Sequence, residues 1–326
     1  MTDGELSKLA SEDALLLENN THEMHMLRTR QLLPEILEHG IVAFVICFFL
    51  TIGLRALIEI VFRYFVSHET GTPKFLKQSD TERWLYTTFW SSVFYSQWLF
   101  VICIIATMEC EPPASLQESG KIDGLLHKVV GDSMFTHKFC RDRPNDKQIL
   151  ANATVIGVMF NDLLIQMLLV RDFKTAAAKQ TYMHHVLAIF GAVCGLYFGR
   201  FYCPMSNVVC LTELSTLFVD FRWLLYYHSL SDSSAYFYNG LIMTLTFAIL
   251  RVIFMPYAFI AGGVFADMET DYSKDTDMVF YLGQFSVVMF FMLVCLNFLW
   301  FKKMVAGSIK HWNKHVGGAE QQKKVD

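Results

Sequence analysis

Charge is scarce in this chain: Asp, Glu, Lys and Arg make up 18% of its 326 residues, against about 25% in a typical soluble domain. The deficit falls in long apolar runs, which places the chain in the membrane class before any motif is considered. A net charge of −4 leaves no basic footprint for nucleic acid. Internal repeats and low-complexity runs are absent. The eight cysteines show no metal-site spacing, so neither a metal nor a resident cofactor is expected. No cleavable leader is expected from the first residues either. Residues 1–40 carry Asp3, Glu5, Glu12, Asp13, Glu18, Glu23, Glu35 and Glu38, whereas transit peptides are poor in acids and signal peptides begin with a basic region. The first apolar span is expected to act as the insertion signal.

What is abundant is apolar: 53% of residues are hydrophobic and 15% aromatic, with 29 Phe and 16 Met. Seven stretches approach the roughly 20 residues needed to cross hydrocarbon. They lie at about 41–66, 84–108, 149–170, 181–199, 205–229, 236–262 and 278–301. The expected fold is all-α, a multi-span transmembrane helical bundle of about seven spans. The fourth stretch is short and the fifth polar, so six spans with one re-entrant segment is the alternative. Residues 1–40 form a polar N-terminal segment, where Leu6, Leu9, Ala10, Ala14 and Leu17 have rough helical spacing. Residues 41–305 form the membrane domain, with its longest loop at 109–148, and 306–326 a basic tail.

Seven spans put the two termini on opposite sides. Basic residues divide almost evenly between those sides, and the short connections decide. Loop 263–277 holds Asp267, Glu269, Asp271, Asp275 and Asp277, while the links around 74–83 and 171–179 are basic. The positive-inside rule then puts the C-terminus in the cytosol, or in the matrix of a mitochondrion. Cys110, Cys140 and Cys203 share the N-terminal side, where one disulfide can form if that side is lumenal. Asn19 and Asn152 head acceptor sequons, with Asn152 close to a span.

Inside the spans sit groups that hydrocarbon tolerates badly. An ionisable side chain at a helix centre costs about 2.5–3.5 kcal/mol on insertion scales. His184 and His185 are adjacent in the fourth stretch and point about 100° apart on a helix. Imidazole can act as base, acid or nucleophile, or hydrogen-bond across helices as a structural group. Glu213 and Asp220 are seven apart in the fifth stretch and share a face, whereas Asp220 and Arg222 do not face each other. Asp162 in the third stretch and Arg251 in the sixth complete the set. Charges from four spans make a polar bundle centre, read either as a site or as structural ion pairs. Arg55, Glu59 and Arg63 follow i, i+4, i+8 near the end of the first span and read as self-neutralising pairs. Pro256 is expected to kink or end the sixth span.

Four stretches resemble the TLC domain family of membrane proteins. They are Gly157-Val-Met-Phe-Asn-Asp162, Met183-His184-His185-Val, Leu211-Thr-Glu213-Leu-Ser-Thr-Leu-Phe-Val-Asp220-Phe-Arg222-Trp223, and Asn239-Gly240-Leu followed by Arg251-Val-Ile-Phe-Met-Pro256. The form is similar to the general TLC-domain-containing branch. The ceramide synthases of the family resemble this chain at the His pair, which they use in N-acylation with acyl-CoA. Their second motif has two acids three apart, where this chain has Glu213 and Thr216. The resemblance implies a TLC-type bundle that binds lipid and influences membrane lipid composition. His184 and His185 are the candidate catalytic residues. Asp162, Glu213, Asp220, Arg222 and Arg251 are the candidate lipid-binding or polar-centre residues.

Two alternatives stand beside that expectation. One is an acyl-CoA-dependent lipid N-acyltransferase, with acyl-CoA as substrate. The other is a non-catalytic subunit packed among partners of a larger membrane complex. The resemblance favours the endoplasmic reticulum, with the mitochondrial inner membrane as the other location. A C-terminal tag is expected to be digested by protease added outside sealed microsomes. Protection of that tag, together with an accessible N-terminus, reverses the orientation.

Overall fold

The structure, a computed structural model, describes residues 29–66, 74–109, 144–199, 202–260 and 277–322. The proposed N-terminal helix, Asn19, Cys110, Cys140 and most of the long loop lie outside the described residues. Helices α1 (Leu33–Val61), α2 (Asp80–Met108), α3 (Asp146–Ile165) and α4 (Ala176–Phe198) are followed by α5 (Tyr202–Leu211) and α6 (Thr216–Tyr227). Helices α7 (Ser234–Phe247) and α8 (Asp277–Gln322) complete the bundle. A single turn, Lys74–Lys77, precedes α2, and Met255–Phe259 continues the path of α7. No strand occurs among the described residues.

The helix starts are written locally. Pro34 occupies the first turn of α1, where its missing N–H costs nothing. Ser79 with Glu82, and Asn145 with Gln148, close capping boxes on α2 and α3. Thr175 and Ser233 cap α4 and α7 through their hydroxyls. Each of these satisfies amide groups that a helix leaves open at its N-terminus. In the turn before α4, the Asp172 carboxylate accepts from the Thr175 hydroxyl and from the backbone amides of Thr175 and Lys174. Those bonds, the Thr175 hydroxyl foremost, hold its carboxyl below the usual aspartate range. A depressed carboxyl supports this turn above the unfolded aspartate range, and the support fades as pH falls through its folded value.

Among the described residues, six continuous helices are long and apolar enough to cross a membrane. The α5–α6 segment is not among them, because Glu213, Asp220 and Arg222 make it polar and a 3₁₀ turn, Thr212–Ser215, interrupts it. It nevertheless runs the full depth of the bundle. At its start, Asn207 and Asn152 bind the carbonyls of Gln148 and Cys203, beside the α3 N-terminus that Asn145 ties to the carbonyl of Glu109. At its end, His228 meets the Tyr86 hydroxyl at 2.9 Å and Tyr227 bonds Gln78. Those partners sit at opposite ends of α2, so the path crosses seven times and the two ends of the described chain fall on opposite faces. Asn152 is fully buried in this junction, which removes it as a glycan acceptor. Cys203 is buried there too.

Helix α3 is the most enclosed span, with 56% of its apolar window buried against 22% for the first and last. Its contact with α1 is backbone-close. A Cβ on Gly157 would stand 2.2 Å from the carbonyl oxygen of Gly40. Membrane helices associate without hydrophobic drive between them, so small residues that admit such approach carry the packing. Near the far end of α1, Glu59 bonds Arg63 at 2.7 Å and Arg83 at 3.1 Å, while Arg55 bonds Asp80 at 2.8 Å. The i, i+4 pairs of the sequence are thus part of a network that α2 completes. Pro256 does not end its span. A π turn, Ala248–Phe254, precedes it, and a widened turn relieves the clash of a proline ring with the carbonyl four residues back.

Gly157→Ala is expected to destabilise the protein by about 1–3 kcal/mol, because the obstructing atom is backbone. Gly53→Ala, where nothing lies within 4 Å, is the matched control. Thermal unfolding in one detergent, with the two variants equal, would refute the close crossing.

Candidate functional site

A membrane helix satisfies its own backbone, so departures from α geometry need a cause. Two departures meet in mid-bundle. The 3₁₀ turn Thr212–Ser215 is tight, the π turn Ala248–Phe254 is wide, and they pack against each other. Glu213 stands on the first and Arg251 on the second, both buried. One Arg251 terminal nitrogen lies 3.2 Å from Glu213 Oε1 and donates to the Thr216 hydroxyl at 2.8 Å. Arg251 Nε donates to the Ser215 hydroxyl at 2.8 Å. Thr216 in turn donates to Glu213 Oε2 at 2.7 Å. The guanidinium also lies 5.3 Å from the centroid of the Phe247 ring. Where the ceramide synthases have a second acid, Thr216 is the hydroxyl that links the ion pair.

The second polar group gathers on Asp162. Tyr95 donates its hydroxyl to Oδ1 at 2.7 Å, and Gln166 its amide to Oδ2 at 2.8 Å. His185 Nδ1 is 3.2 Å from the same Oδ2, at ion-pair distance but off the line of a hydrogen bond. His184 turns the other way. Its Nε2 is 3.8 Å from Glu213 Oε1, and its ring centre is 5.7 Å from that of Trp300 on α8. The two adjacent imidazoles are therefore divided between two acids on two different spans. A histidine beside a carboxylate is the pairing that general-base and nucleophilic chemistry uses, although neither contact here is a hydrogen bond that would fix the tautomer.

Asp220 is 4% exposed. The Ser92 hydroxyl is its hydrogen-bonding neighbour, and Asp162, Glu213 and Arg251 are the charges that act on it. Its Oδ2 has no hydrogen-bond partner. Arg222 stands apart from this centre. It donates to the carbonyl of Tyr236 at 3.0 Å and lies 3.9 Å from that ring's centroid. A Cβ on Gly240 would collide with it at 2.1 Å, so Arg222 and Gly240 form one α6–α7 packing unit. The structure thus brings together His184, His185, Asp162, Glu213, Asp220 and Arg251, and leaves Arg222 at a separate contact.

Sequence reasoning did not single out Tyr95, Gln166, Ser215 or Trp300. Tyr95, Ser215 and Trp300 are ordinary residues for a membrane helix, and only their partners give them a role. Gln166, four residues after Asp162, is one turn away on the same face, a spacing visible in the sequence.

An apolar cavity of about 80 Å³ lies between α4, α5, the end of the α7 path and α8. Leu187, Ala188 and Gly191 line it from α4, and Val209 and Cys210 from α5. On α4 these follow His184 by three, four and seven residues, and on α5 they precede Glu213 by four and three. Such spacings share a helix face. The cavity therefore continues the faces that carry the His184–Glu213 contact.

Arg251→Met leaves Glu213 buried without its cation, and a loss of roughly 3–5 kcal/mol is expected. Adding Glu213→Leu should restore most of it, because no stranded charge remains. Unfolding of the purified single and double variants decides this. A double variant no more stable than the single would mean that the two side chains are not an isolated buried pair.

Comparison with known proteins agrees with the architecture. No curated protein and no solved structure matches the chain. Residues 85–306 match the TLC domain, a stretch that contains six of the seven crossings and every residue of the polar centre. The chain belongs to the TLC domain family, as a multi-pass integral membrane protein.

Proposed function

We propose that this protein binds a lipid within its helical bundle and through that binding influences membrane lipid composition. The observation that supports this reading is the apolar cavity on the helix faces that lead to His184 and Glu213. An apolar pocket with a few convergent polar groups is the usual form of a ligand site. The lining is apolar like an acyl chain, and a lipid entering it would widen the space of about 80 Å³. The polar end would meet groups that are already paired: Arg251 is engaged by Glu213, Ser215 and Thr216. With that guanidinium taken, an uncharged hydroxyl, amide or ester fits better than a phosphate. We place the protein in the endoplasmic reticulum on the family resemblance alone.

Acyl transfer is the second reading, and the His185–Asp162 contact favours it. One imidazole would act as base or acyl acceptor, with acyl-CoA as the donor. Thr216 argues against N-acylation in the manner of the ceramide synthases, since it supplies a hydroxyl where they have an acid.

Purification in mild detergent followed by lipid mass spectrometry tests the binding reading. One neutral lipid class is expected with the wild type and should be lost on Ala188→Trp, which fills the cavity without touching the polar centre. Equal lipid content in both would remove the cavity as the binding place. Stoichiometric foreign subunits would instead support the complex-subunit alternative. Incubation with sphingoid base and acyl-CoA is expected to give no ceramide. Product that disappears in His184→Ala or His185→Ala would establish the enzyme.

A further inference from the structure

Three carboxylates meet in the bundle centre with one arginine and two imidazoles. Asp162, Glu213 and Asp220 are all buried, and among the described residues Arg251 is the arginine that reaches them. Arg222 is turned to Tyr236. Arg55, the other buried arginine, is taken by Asp80 and Glu59 near the end of α1. Three ionised carboxylates against one guanidinium would leave two negative charges with nothing to offset their desolvation. Two protons remove that excess, and the geometry limits where they sit. Glu213 faces the guanidinium, so it is the ionised partner of Arg251. Asp162 accepts from Tyr95 and Gln166, with the His185 imidazole 3.2 Å from it.

Asp220 is what remains. Its carboxyl is buried beside the Ser92 hydroxyl, its Oδ2 has no hydrogen-bond partner, and no basic side chain of the described residues forms an ion pair with it. Arg251 is already held by Glu213, and the imidazoles of His184 and His185 are turned to Glu213 and Asp162. Ser92 can donate or accept, so it serves a neutral acid as well as an anion. We infer that Asp220 is an intramembrane proton-binding site that stands as a neutral carboxylic acid. A neutral carboxylic acid is a donor as well as an acceptor, so the centre contains a proton donor for an oxygen of a bound ligand. This holds whether or not the cavity takes a lipid, and its test does not depend on lipid binding.

Infrared spectroscopy of the full chain at neutral pH, in a detergent free of carbonyl groups, reads the neutral acid through its carbonyl stretch, which ionised carboxylates lack. The band is expected in the wild type, to persist in Asp162→Asn, and to be lost in Asp220→Asn. Wild-type protein made with ¹³C-labelled aspartate should show the band shifted, which distinguishes aspartic from glutamic acid. If Asp220→Asn does not fold, the labelled wild type and Asp162→Asn together decide. A wild type with no protonated-carboxyl band, a band that survives Asp220→Asn, or a band unmoved by the aspartate label overturns the inference.

Discussion

A carboxylate in hydrocarbon must find a cation, hydrogen-bond donors or a proton, and this bundle contains three at mid-depth. Glu213 finds Arg251, Asp162 finds Tyr95, Gln166 and His185, and Asp220 is left beside a serine. Apart from Gln166, one turn along from Asp162, each of these partners comes from another helical segment. The backbone follows the same demand. The tight turn under Glu213 and the wide turn under Arg251 let two side chains of different length meet while the rest of each helix stays regular. Irregular turns at a functional centre are a recurrent use of 3₁₀ and π geometry.

The remainder of the fold holds that centre in register. Gly40 and Gly157 bring α1 and α3 into backbone contact, which fixes the helix that carries Asp162. Capping residues set where α2, α3, α4 and α7 begin, and therefore the depth at which Tyr95, Asp162 and the histidines lie. On the C-terminal face an aromatic cluster adds packing: Tyr86 and Tyr227 have ring centres 4.4 Å apart, and Phe89 stacks on Trp223 at 4.0 Å. Aromatic rings suit the membrane boundary, where one edge is apolar and the other wet. Nothing in the geometry accounts for Asn161, buried with both amide atoms lacking a partner.

The division of the histidine pair bears on both functional readings. A single imidazole against a single acid would be a simple structural contact. Two imidazoles from consecutive residues, held by acids on α3 and on the 3₁₀ turn, connect the Asp162 group to the Glu213–Arg251 group through one turn of α4. A ligand in the cavity beside Leu187 and Ala188 would lie against the His184 side of that connection. Binding and proton movement would then share residues, and this links the lipid reading to the acyl-transfer reading.

Much of the architecture was legible in the chain itself. Apolar runs of membrane length gave the helix class and six of the spans, because a helix satisfies its own backbone in hydrocarbon, while the depth of the polar α5–α6 path came from the packed bundle. The rarity of charge inside those runs marked Asp162, His184, His185, Glu213, Asp220 and Arg251, because each is costly there. Pairing was another matter. Spacing along one helix cannot say which acid an arginine on another helix will meet, so Arg222 and Arg251 looked equivalent. Only the packed bundle sent Arg251 to Glu213 and Arg222 to Tyr236. Thr216 shows the same limit. The sequence recorded the loss of an acid, while the fold turned that position into the hydroxyl that joins Glu213 to Arg251. Composition and period determine which residues lie in the membrane; the distances between helices, set by glycine contacts and irregular turns, decide which of them meet.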